Sequence, residues 1–401
     1  MFKIKGTNIL TTLLENILLK QNDVTLSELI ESRRQELGLS KRQLERVLQM
    51  DYNTIESAKD GDIKRFSVVN TVKLANFLGI DLQNTVEVII SNIGTSAIEE
   101  LEKVRKSIYL IKNFDLDLLK KIRFIESIQD FDEIEKRIIN FFGFTSIFEY
   151  ESDLGNALFS KTRQSANDKM KEFWVRSAYA YFEKINNPNS YDRDLLIDLI
   201  PKIKPYTRNL KYGLKTVALA LRNAGVNLIY QPHLSTTQVR GGTFLVNDTP
   251  SIVLTDLNKN YATIWFALLH ELHHVLYDLE HLETTKYHLT GDHDLFLLQE
   301  EKANEFARDY LFALSDLKYI EPFIHNHSVV ETYAKECQIH PCIVYSMFQH
   351  YMDERGENYW GAFKQYSPDV NVALEGFNKS MWEYDTIQEA TEKLEQAILN
   401  I

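Results

Sequence analysis

His270-Glu271-Leu272-His273-His274 lies in an apolar run, with Trp265-Phe266-Ala267-Leu268-Leu269 before it and Val275-Leu276 after. Residues four apart on an α-helix stand one above the other, so His270 and His274 can aim ring nitrogens at one ion. Glu271 falls about 100° further round the helix, beside such an ion without ligating it. A carboxylate there suits a base that acts on metal-activated water. The flanking apolar residues are those of a buried helix.

A catalytic zinc takes three protein ligands and keeps one position open. The metzincin spacing would need glycine at 277 and histidine at 280, where this chain has Tyr277 and Glu280. A carboxylate from a following helix is the alternative, and Glu300-Glu301-Lys302-Ala303-Asn304-Glu305-Phe306-Ala307 supplies one. Glu300 and Asn304 are four apart, so one can ligate while the other steadies a ligand histidine. In another register the ligand is Glu301.

Outward from this helix the text changes character. A helix over about Leu210 to Asn223 precedes Gly225, and three β-rich runs follow: Val226 to Tyr230, Thr243 to Val246 and Ser251 to Leu254. Asn247-Asp248-Thr249-Pro250 reads as the turn of a hairpin between the last two. Either of those strands is a candidate to hold an extended peptide by strand addition. From about Asn92 to Tyr206 the sequence is helical and rich in aromatics, including Phe141, Phe142, Phe144, Phe148 and Tyr150, which read as core. The stretch after the His-Glu helix also reads mainly as helix. The expected class is therefore mainly α with a small β-sheet (α+β). The expected divisions are 1–90, a helical middle region 91–205, and 206–401 carrying the metal site.

Residues 26–82 read as short helices with tight connections. Gly38-Leu39-Ser40 breaks one and caps the next, Asp51 to Lys59 forms a third, and a fourth ends at Gly79. The segment resembles a lambda-repressor-like helix-turn-helix, with Leu39-Ser40-Lys41-Arg42-Gln43-Leu44 opening the first motif helix and Asn53-Thr54-Ile55-Glu56 in the recognition helix. It departs from that pattern in having Glu45 where a small residue is usual and no turn glycine around Gln49-Met50-Asp51. Residues 25–80 hold nine basic and eight acidic side chains, a net charge of +1. Operator DNA is an expected partner through 26–82; a protein-docking or dimerisation module, compatible with a homodimer, is the competing reading.

The His-Glu helix, the Glu300 to Ala307 segment and Tyr333-Ala334-Lys335-Glu336-Cys337-Gln338-Ile339-His340-Pro341-Cys342-Ile343-Val344 together resemble the ImmA/IrrE family of metallo-endopeptidases, over roughly Leu210 to Tyr351. His273 stands where many members have glycine. The resemblance implies a zincin-like (gluzincin-type) fold, with His270, His274 and Glu300 as Zn2+ ligands and Glu271 as catalytic base. It also implies a protein substrate that is a DNA-binding repressor or an antitoxin. The alternative is a repressor or antitoxin whose zinc site is structural or sensory. Tyr277, His288 and His293 are candidates to stabilise an oxyanion, each weighed against an ordinary surface role. Cys337, His340 and Cys342 read as helix and core residues.

Bulk composition narrows the classes further. Among 401 residues the net charge is −12, which argues against coating nucleic acid by overall charge. With two cysteines there is no disulfide framework. Neither a signal peptide nor a membrane-spanning run is legible, so a cytoplasmic location with no membrane partner is expected.

Overall fold

A computed structural model describes residues 25–62, 66–91, 95–152, 166–235, 237, 239–290, 297–377 and 380–399. It is mostly helical with one small mixed sheet, an α+β arrangement. The chain forms two compact units, Met1–Lys112 and Asn113–Ile401.

In the first unit, local hydrogen bonds set the helix starts. α1 (Leu26–Glu36) opens on a capping box: Thr25 Oγ1 accepts from the Glu28 N–H, and the Glu28 carboxylate accepts from the Thr25 N–H at 2.8 Å. Ser40 and Gln43 repeat the device for α2 (Lys41–Leu48), and Asp51 caps α3 (Tyr52–Lys59) through the Thr54 N–H. α4 (Val68–Leu78) starts at Ser67 and stops at Gly79, whose φ of 70° suits glycine; α5 (Leu82–Ser91) follows. The missing turn glycine has a substitute, because Gln49 itself adopts a left-handed φ of 50° at the end of α2. Leu26, Ile30, Leu44, Leu48, Ile55 and Leu74 close one core. Lys64 and Arg65, two of the basic residues counted above, lie outside the described residues.

The helix α6 (Thr95–Asn113) ends at the boundary between the units. Among the longer helices of the second unit are α7 (Phe131–Phe142), α8 (Ala166–Lys184), α9 (Gly213–Asn223), α10 (Tyr261–Tyr277), α11 (Leu297–Leu311), α12 (Pro341–Glu354) and α13 (Ile387–Leu399). Residues 113–205, expected within a middle domain, belong to this unit. Arg137 on α7 explains why: its guanidinium donates to the carbonyls of Trp382, Tyr384 and Asp385 at 3.0, 2.7 and 2.8 Å and lies over the Phe124 ring. Phe173 packs on Trp382 with centroids 6.0 Å apart, and α8 lies against α13. Of the aromatics of the middle region, Phe141, Phe142, Tyr150, Phe173 and Trp174 are buried, while Phe144 and Phe148 are partly exposed.

The sheet comprises β1 (Asn227–Tyr230), β2 (Gly241–Val246), β3 (Thr249–Leu254) and β4 (Tyr287–Thr290), in the order β1-β3-β2-β4. β1 is parallel to β3, while β2 is antiparallel to both β3 and β4. Asn247 and Asp248, with φ of 49° and 59°, make the two-residue turn between β2 and β3. Both strands expected to receive a peptide are therefore interior, their ladders already filled on each side. β4, unforeseen from sequence, is the edge on the side of β2.

Candidate metal centre

α10 is apolar nearly all round, as a central helix must be, yet His270, Glu271, His273 and His274 are buried in it. Buried polar groups need partners, and three elements converge to provide them. α11 packs along α10 and brings Glu300 and Asn304. The helix end brings Asp278. The sheet brings one face of β2 and β4, where the register sets Gly241 opposite Thr290 and Thr243 opposite His288. Alternation along both strands turns these four residues the same way.

The ligand geometry follows. His270 Nδ1 lies 3.0 Å from Asn304 Oδ1, and His274 Nδ1 lies 2.7 Å from Asp278 Oδ2. With both Nδ1 protons donated outward, the Nε2 lone pairs point inward and meet at 3.1 Å. Glu300 completes the triangle, with Oε2 3.3 Å from His270 Nε2 and Oε1 3.3 Å from His274 Nε2. Two ligands held about 2.0–2.1 Å from a tetrahedral zinc stand about 3.3 Å apart, so the three edges fit that ion. Two neutral imidazoles and one carboxylate, with both histidines anchored behind, could hold a metal ion and leave a coordination position open.

Charge is concentrated accordingly. Burial alone would raise the Glu300 carboxyl, but hydrogen bonds from His270, His274 and His288 outweigh it and hold it well below the usual carboxylate range. Burial would lower His274, yet its bonds to Asp278 and Glu300 carry it up to about 9. His273 goes the other way, down to about 4, through burial and the neighbouring His274 charge. It packs between Tyr277 and Phe306 instead of joining the ligand triangle.

Glu271 is fully buried. Thr243 Oγ1 donates to its Oε2 at 2.7 Å and Thr290 Oγ1 to its Oε1 at 2.5 Å. A side chain at Gly241 would meet Oε1 at 2.8 Å, so the close approach of β2 depends on that glycine. A cavity of about 610 Å3 opens beside His270 and Thr290.

Sequence and structure can be compared residue by residue. The structure brings His270, His274 and Glu300 together with their ligand atoms within 4.8 Å of one another, and Asn304 stands behind His270. Glu301, the other register, is exposed. His288 Nε2 donates to Glu300 Oε1 at 2.7 Å and so steadies that carboxylate; Tyr277 is 57% exposed. His293 lies outside the described residues. His340 caps α12, its Nδ1 accepting from the Cys342 N–H at 3.1 Å. Asp278, Thr243, Thr290 and Gly241 were not foreseen. Asp278 carried a signal, since it lies four residues after His274. The sheet residues carried none, because their approach depends on strand order.

Comparison with protein-family models, with curated proteins and with solved structures finds no match for this chain.

Proposed function

We propose that the second unit is a zincin-like, zinc-dependent endopeptidase of the ImmA/IrrE type and that residues 26–82 are a helix-turn-helix head. The observation that carries the peptidase reading is the His270–His274–Glu300 triangle, with Glu271 one residue along the same helix. Zinc, when bound, would supply a Lewis acid that polarises a peptide carbonyl and acidifies water. Glu271 would take the proton that water gives up as its oxygen bonds to the peptide carbonyl carbon, and return it to the nitrogen as the C–N bond breaks. Its Oε1 accepts from Thr290, which lines the cavity. His288 and Asn304 hold the groups around it in place. The head reading rests on the short capped helices α1 to α4 and on Asn53, exposed at the start of α3. It makes repressor or antitoxin proteins the substrates to try first.

A second reading has its own support. Both Glu271 oxygens are engaged by threonine hydroxyls in a fully buried setting, as suits a structural or sensory site. Co-expression with the repressor or antitoxin proteins encoded nearby, wild type against Glu271→Gln, separates the two. Cleavage by wild type, reduced at least about 100-fold in the variant with zinc content unchanged, is expected. Cutting of neither the neighbours nor a peptide library by wild type would reject the peptidase.

A further inference from the structure

The cavity beside His270 holds more than a metal site requires. Its near wall is His270, Thr290 and Asn304, and Phe266, Ile343 and Met347 give it an apolar lining. Arg240, just before β2, and Arg308, one turn beyond Asn304 on α11, also line it. Neither guanidinium has an ion-pair or side-chain hydrogen-bond partner among the described residues. Other arginines of this unit do have one: Arg208 pairs with Glu331 at 3.1 Å and Arg355 with Glu321 at 3.4 Å. Glu354 also lines the cavity, and among the described residues it makes no ion pair with either arginine. Among the described residues that line the cavity, two guanidinium groups stand against one carboxylate, in a chain whose overall charge is −12.

We infer that this cavity is a recognition pocket for an acidic peptide, in which Arg240 and Arg308 take the carboxylate of a glutamate or aspartate and the apolar lining takes its neighbour. A guanidinium offers paired N–H donors that match a carboxylate, and an amide side chain of the same shape does not return the charge. A cavity of this size accommodates one or two side chains, and its His270 wall sets that peptide beside the metal ligands. The inference rests on the peptidase reading only for what the pocket serves; recognition itself needs no turnover.

The test uses the full chain loaded with zinc and two fluorescein-labelled dodecapeptides. Both carry Phe-Glu pairs in an alanine and serine background, with glutamine replacing each glutamate in the second. Fluorescence anisotropy should show the glutamate peptide binding at least about tenfold tighter. Arg240→Gln with Arg308→Gln should abolish the difference, and Arg308→Lys should keep part of it. Circular dichroism and zinc content of each variant report whether it is folded. Equal binding of the two peptides, binding of neither, or a glutamate preference that survives loss of both arginines would overturn the inference. A preference that depends on the arginines, found in a protein that cuts nothing, would keep the pocket and reject the peptidase.

Discussion

Two imidazole lone pairs held 3.1 Å apart repel unless a cation or a proton lies between them. In the metal-free chain the proton resides on His274, raised to about 9. A raised basic group contributes stability that is complete below its ordinary value of 6.5 and is lost as pH climbs through 9. Glu300, lowered, contributes stability that is complete above 4.5 and declines only in stronger acid. The melting temperature of chelator-treated protein should therefore fall between pH 6.5 and 9. Zinc must expel the same proton, so its stabilising effect should grow over that interval. Paired melts at pH 6 and pH 9, with and without zinc, check both trends. Asp278 acts on the same histidine from behind. Asp278→Asn should retain zinc with affinity reduced about 10- to 100-fold in competition with a chromogenic chelator.

At the scale of elements, β2 meets α10 at a point where no side chain fits. Gly241→Ala would press a methyl group to 2.8 Å from Glu271 Oε1 and 3.1 Å from the Val253 carbonyl. An overpacked contact of this kind costs about 1–3 kcal/mol. Urea unfolding should show that loss, and the displaced carboxylate should lower any cleavage further than the stability change accounts for. The same junction explains what could be read in advance. His270 and His274 share one helix face, and Glu300 and Asn304 share another, so spacing brings them forward, with Glu301 left as the other register; Asp278, one turn beyond His274, was not foreseen. Thr243 and Thr290 are 28 and 19 residues from the glutamate they hold. Their meeting depends on β4 pairing with β2, which no local pattern announces. Strand order likewise hid that β2 and β3 are flanked on both sides. The cap at Ser40 was legible because it is written within three residues; those at Thr25 and Asp51 follow the same local rule and emerge with the structure.

For the molecule as a whole, the division expected between 205 and 206 follows a change in the character of the sequence after Pro205, but such a change is not a break in packing. Arg137 reaches carbonyls 245 to 248 residues away, and such pairings leave no trace in local sequence. Among the four tryptophans, Trp174, Trp265 and Trp382 are buried in the core of the second unit, and Trp360 is 46% exposed on the wall of its cavity. Intrinsic indole emission therefore reports on Asn113–Ile401 and is blind to the head. Zinc should shift the melting transition seen by fluorescence, while far-ultraviolet circular dichroism should keep a component that does not move with metal. The chain thus carries two optical channels of its own. Trp360 adds a third signal, because an occupant of the cavity that excludes water from its ring would shift its emission to the blue without any attached dye.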